Sequence, residues 1–281
     1  MTDHSGSDSV PQAEQAEGEA EAGRRIAPED ANTPPPPPLP RNARSWAAKI
    51  DRLTVPGGRS HRSNVAGRRL TGPVQGFGKM WQKTYWIQVS PKISPQTVIA
   101  EWREHFGEFW PAGNQFKGPL TSLSPGDVAL LDVSVGGGVR LSTGVFVLYA
   151  DEVSFTLMTP QGHMFAGWIT FSAERADRAS APDASPGPTT VVQIQVLMRA
   201  NDPLYELALS LGGHRKEDQF WVQTMTALAT YLGALPATVH SRTVCIDRKR
   251  QWGNFGDVRH NSMLRSMLHS ATAIIQHRPP E

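Results

Sequence analysis

Hydrophobic and polar positions alternate along "KTYWIQV" (83–89), with Tyr85, Ile87 and Val89 opposed to Trp86 and Gln88. A period of two predicts a half-buried strand. The period then lengthens. In "SPQTVIAEWREHFGEF", Val98, Ile99, Trp102, Phe106 and Phe109 recur at helical spacing, with Glu101, Glu104 and Glu108 on another face. Ser94 as cap and Pro95 at the first helical position mark the start of that amphipathic helix. From residue 128 the pattern returns to strands, predicted over 128–135, 139–150, 153–159, 165–172 and 190–198. Most of the connections between them are short, which permits only antiparallel neighbours. "AERADRASAPDASPGPT" (173–189) is the exception and reads as a long hairpin tip.

Two helices close the pattern. Asp202 and Pro203 start the first, and Gly212 and Gly213 end it. The second, 214–233, sets Trp221, Met225, Leu228 and Leu232 on one stripe and stops at Gly233. The predicted order is strand, helix, a run of antiparallel strands, then a long closing helix. The expected fold class is α+β, with one core domain at 77–235.

Composition changes the picture at both ends. The first forty of the 281 residues have almost no large apolar side chains and finish in "TPPPPPLP", so 1–40 is expected to be a disordered acidic arm. That arm carries 2 basic and 8 acidic residues, whereas residues 41–80 carry 9 and 1. The segment 41–76 therefore reads as a basic, flexible neck with affinity for phosphate, an anionic surface or the acidic arm. It has no aromatic platform spread along it, which argues against nucleic acid. The extension 236–281 is expected to pack on the core, with "HSRTVCID" extended or added as a strand. Trp252 and Phe255 stand among basic groups there, and Met263, Met267, Ile274 and Ile275 fall in a segment with helical spacing.

Several kinds of chemistry are excluded or left without a motif. No apolar run approaches the roughly 18 residues that cross a bilayer, and "MTDHSGSDSVPQAEQ" lacks an export signal, so a cytoplasmic location is expected. The single cysteine, Cys245, has no internal disulfide partner and reads as a buried structural thiol. No His or Cys spacing suits a metal, and no motif calls for a cofactor. "VGGGV" (135–139) lacks the Lys and Ser or Thr of a phosphate loop and reads as a hairpin turn. "HRKEDQFW" (214–221) reads as a solvated first helical turn.

The order of elements, with "GPVQGFGKMWQKTYWIQV", "TPQGHMFAGWITFS" and "VLMRANDPLYELALSLGGHRKEDQFW", resembles the helix-grip superfamily, and within it an actinobacterial branch. That superfamily (SRPBCC) includes START lipid-transfer domains, the birch pollen allergen group and bacterial polyketide cyclases. The resemblance covers about 160 residues and implies a curved antiparallel sheet wrapped around a long C-terminal helix, with a cavity between them. It supplies no universal catalytic residue. Large apolar side chains that are candidates to line such a cavity are Trp86, Trp102, Phe155, Met158, Phe165, Trp168, Trp221 and Met225, each with ordinary core packing as the plainer reading.

His163, behind Gly162 in a turn between strands, and His214, at the start of the closing helix, are the candidate acid or base groups. Three functions stay open. The first is a noncatalytic carrier or sensor of an apolar or amphipathic small molecule. The second is a cyclase- or isomerase-like enzyme using His163 or His214. The third is an interaction module that uses the basic neck and tail.

Overall fold

The computed structural model describes residues 42–55, 64–90, 92–119, 122–136, 139–176, 189–234 and 237–266. The acidic arm, most of the hairpin tip at 173–189 and the chain beyond 266 lie outside the described residues.

Nine strands form one antiparallel sheet among the described residues. They are β1 (Leu70–Thr71), β2 (Met80–Val89), β3 (Gln115–Lys117), β4 (Val128–Gly136), β5 (Val139–Ala150), β6 (Ser154–Pro160), β7 (Phe165–Ala176), β8 (Thr189–Ala200) and β9 (His240–Asp247). Their spatial order is β3-β4-β5-β6-β7-β8-β2-β9, with β1 added to β6. The sheet is not closed, because β3 and β9 remain as separate edges. Register shifts in β2, between β4 and β5, and between β5 and β6 bend it.

Helices α1 (Pro95–Glu104), α2 (Pro203–Ala208) and α3 (His214–Tyr231) complete the core. Pairing brings Tyr85, Ile194, Phe171 and Phe155 into one row across four strands. All four are fully buried. Trp102 of α1 meets Phe155 and Phe171 edge-on, and Met225, Leu228 and Ala229 of α3 join the same apolar cluster. A bent sheet with one face laid over a long C-terminal helix is the helix-grip arrangement.

The starts of α1 and α2 follow their sequence signals. Ser94 Oγ accepts the Thr97 N–H, and Asp202 Oδ1 accepts those of Leu204 and Tyr205. The expected break between the last two helices is a kink within Leu209–Gly213, where Leu211 and Gly212 leave helical geometry and Gly212 has a φ of 113°. The first helix ends at this kink and α3 begins after it. A residue with a side chain rarely adopts that φ.

The neck differs from a flexible connector wherever it is described. Leu53 and Val65 are buried against Phe146 on the sheet face away from α3, with Val55 and Leu70 beside them. Trp46 lies edge-on to Tyr149 at 5.0 Å, and β1 pairs with β6. Basic side chains dominate the count in this segment, but four widely spaced apolar residues are enough to hold its backbone. In the extension, "HSRTVCID" is β9, paired with β2. Cys245 within it is half-buried, because an edge strand has only one neighbour to cover it.

Candidate functional site

A cavity of about 490 Å³ opens between the sheet and the α2–α3 segment. Alternation positions its wall: Leu157 and Thr159 of β6, Gly167 and Ile169 of β7, and Val196 and Met198 of β8 face it. Phe106 and Trp110 border it from the segment after α1, Phe220 and Trp221 from α3, and Leu211 and Met263 from the kink before α3 and the extension. The lining is predominantly apolar, and the volume lies within the roughly 300–1,000 Å³ usual for small-molecule sites.

His163 is the imidazole in this wall. It sits in the β6–β7 turn, where its own N–H donates to the Pro160 carbonyl at 3.1 Å. Its Nδ1 accepts the Phe165 N–H at 3.0 Å, so in the neutral ring the proton resides on Nε2. Burial pushes its pKa down to about 4. Near neutrality His163 is therefore an uncharged ring with one hydrogen-bond donor, Nε2–H.

The turn is closed from outside by the extension. Ser262 N–H donates to Gly162 O at 2.9 Å, and Met263 N–H donates to the Tyr205 hydroxyl at 3.0 Å. Asn261 Nδ2 donates to Asp202 Oδ2 at 2.8 Å. Burial raises the Asp202 pKa, against the lowering effect of the N–H groups of Tyr205 and Leu204 and of Asn261. Gly162, at a φ of 89°, leaves room for the His260 carbonyl, which a Cβ would meet at 2.1 Å.

Beneath α3 lies a charged cluster that the strand pattern alone conceals. Lys83 occupies an inward position in phase with Tyr85 and Ile87, and it is fully buried. Its Nζ reaches Glu217 Oε2 at 2.9 Å and Asp218 Oδ1 at 2.8 Å. The Tyr85 hydroxyl donates to Asp218 Oδ1 at 2.6 Å. Burial, then Glu217 and Asp218, push the Tyr85 pKa far above its ordinary value. Glu217 borders the cavity, and neither of its oxygens accepts a well-directed hydrogen bond despite the ion pair. The first turn of α3 is thus anchored to β2 through Glu217 and Asp218, where the sequence pattern suggested a solvated turn.

The candidate residues separate by position. Trp221, Phe165 and Trp168 border the cavity, though the Trp168 ring edge lies near Met158 and Gly72 on the opposite face, and Trp168 is 36% exposed. Trp102, Phe155 and Met225 are fully buried in the closed core and do not line the cavity. Trp86 stacks on His240 at 5.4 Å, and Met158 alternates away from Leu157 and Thr159. His214 stands edge-on to Trp81 at 5.0 Å, outside the lining. Alternation decides these outcomes, since a strand residue next to an inward one faces the other side.

Wall residues that pattern reading passed over include Trp110, Phe220, Tyr205 and Glu217. Phe220 had a signal, as a large ring one position from Trp221. Lys83 also had one, as a charge within an inward apolar phase. Among the described residues no group of three or more His, Cys, Asp or Glu side chains gathers in a way that would hold a metal ion, and no helix is long and apolar enough to cross a membrane.

No family model matches the chain, and no curated protein matches it. Solved structures do. The ginseng major latex-like protein 151 from Panax ginseng is 15% identical, with 57% of this chain and 100% of that one covered at a TM-score of 0.34. Protein NE0264 from Nitrosomonas europaea is 12% identical, with 54% and 94% covered at 0.36. The di-domain ARO/CYC StfQ from the steffimycin biosynthetic pathway is 8% identical, with 55% and 51% covered at 0.39. At such identities and scores, the helix-grip assignment rests on the chain's own strand order and the placement of α3.

Proposed function

We propose that the chain holds an apolar or amphipathic small molecule between the sheet and α3, as a noncatalytic carrier or sensor. The observation that carries this reading is the cavity itself: about 490 Å³, walled mainly by aliphatic and aromatic side chains, with the Nε2–H of His163 as an orienting donor. An apolar enclosure contributes affinity through burial, and one placed donor selects a ligand bearing a carbonyl, hydroxyl or other acceptor.

Acid–base catalysis by the candidate histidines is less well supported. With Nδ1 occupied by the Phe165 N–H and Nε2 already protonated, His163 has no free lone pair to serve as a base at neutral pH. Its low pKa also keeps the imidazolium, the form that would donate as an acid, scarce there. His214 lies outside the cavity lining.

Native mass spectrometry of full-length protein purified from its own host tests the reading, together with thermal shifts against fatty acids, sterols and aromatic polyketides. A retained small molecule, or a stabilising shift that Trp221→Ala diminishes, is expected. Empty protein with no shift across that panel overturns it.

A further inference from the structure

Helix α2 carries Leu204 and Leu207 at a spacing of three, on one side, and Leu211 follows at the kink after it, so that the three form an apolar stripe by their shared exposure. In an amphipathic helix such a stripe ordinarily faces the core. Here Tyr205 and Leu209 take the core side, at 3% and 7% exposure. The three leucines face outward at 43%, 57% and 78% exposure, which leaves an apolar surface open among the described residues. Leu211 also borders the cavity, so the apolar stripe continues into its rim.

The surroundings are cationic. Arg215 and Lys216 are exposed in the first turn of α3, directly after the stripe. The acid within α2, Glu206, is turned inward at 6% exposure and pairs with Arg250 Nε at 3.1 Å. The Ser210 hydroxyl donates to the Glu206 carbonyl, so it is engaged within its own helix. The face thus combines an apolar centre, a basic flank and few groups seeking a directional partner.

We infer that this face docks on an anionic lipid bilayer and brings the cavity rim to the membrane surface. An apolar stripe beside Lys and Arg fits the boundary between acyl chains and anionic headgroups, where burial and charge attraction act together. Such a surface asks for no hydrogen-bond complementarity. Three partly exposed leucines fall far short of the roughly 800 Å² per partner in a stable protein interface. The function of the docking, ligand exchange without exposure to water, rests on the cavity reading. The docking itself stands on the leucine stripe and its basic flank.

The test is flotation of the full-length chain with vesicles of phosphatidylcholine alone and of phosphatidylcholine with phosphatidylglycerol at low and high salt. Association with the anionic vesicles is expected, weakening as salt rises. Leu204→Glu/Leu207→Glu, at positions outside the cavity lining, should reduce partitioning on the order of tenfold. Arg215→Ala/Lys216→Ala should reduce it severalfold, mainly at low salt. Trp252→Ser, on the separate exposed aromatic pair Trp252 and Phe255, should leave it unchanged.

Absence of partitioning overturns the inference, as does full partitioning of the Leu204/Leu207 variant in a folded state verified by circular dichroism. A loss confined to Trp252→Ser assigns the surface elsewhere and also overturns it. A wild-type dimer that the leucine variant converts to monomer makes a second copy the occupant instead. Native mass spectra separate the two proposals. Empty protein that still floats defeats only the cavity reading, and ligand-loaded protein that does not float defeats only the docking.

Discussion

Acidification should destabilise this protein through His163 in a way that one substitution removes. The folded imidazole binds its proton with a pKa of about 4, because it is buried in the β6–β7 turn. An unfolded histidine binds at about 6.5. Between those values the unfolded chain takes up a proton that the folded chain refuses, so stability falls as pH drops through the window. Above about pH 6.5 this contribution is constant, and below about 4 it has been lost in full. At about 1.4 kcal/mol for each tenfold difference in proton affinity, the loss is about 3 kcal/mol.

Urea unfolding of the wild type and His163→Gln between pH 7.5 and 4 isolates that amount, because carboxylates and other histidines titrate alike in both. The wild-type advantage over the variant should shrink by about 3 kcal/mol across the window. A difference that stays constant with pH means that the ring is accessible to protons in the folded state, and the neutral-donor role falls with it.

Three further outcomes follow from the core. Lys83→Met should cost about 3–5 kcal/mol in urea unfolding, because Glu217 is left buried without its cation, and Lys83→Met/Glu217→Gln should recover part of this loss. Equal losses in the single and double variants would show that the pair is not coupled. Met225→Ala should cost about 2–5 kcal/mol, as expected for a closed core site, whereas Trp221→Ala should cost less than the roughly 3–5 usual for a buried tryptophan and should change ligand retention. Core-sized losses at both, with retention unchanged, would mean that the cavity is filled by side chains in solution. Gly162→Ala should cost about 1–3 kcal/mol and expose the 251–265 segment to limited proteolysis, since the new Cβ collides with the His260 carbonyl. An unchanged melting temperature with the segment still protected would refute that contact.

The sequence alone determined those features whose cause is local. Alternation in "KTYWIQV" and in the segments from 128 to 198 predicted strands close to their observed limits, and Ser94-Pro95 and Asp202-Pro203 marked helix starts where caps are found. Neighbouring residues suffice for this, because period and capping are properties of a few consecutive positions. Short connections also made the sheet antiparallel, and the helix-grip arrangement followed from that order. The short strands β1 and β3 escaped notice because two or three residues carry no measurable period.

Only the tertiary structure decided which large side chains meet open volume. Trp102, Phe155 and Met225 had the same apolar signal as Trp221, yet α1 and the sheet close over the first three and leave Trp221 at the cavity wall. Lys83 gained its meaning from Asp218, 135 positions away. The neck looked solvated by its charge until Leu53 and Val65 met Phe146 across a separate stretch of chain. Even the state of His163 depended on the extension that packs over its turn and on the Phe165 N–H that occupies Nδ1. Periodicity assigns a residue to a face, but whether that face meets a packed neighbour or a cavity is fixed by segments that are distant in the chain.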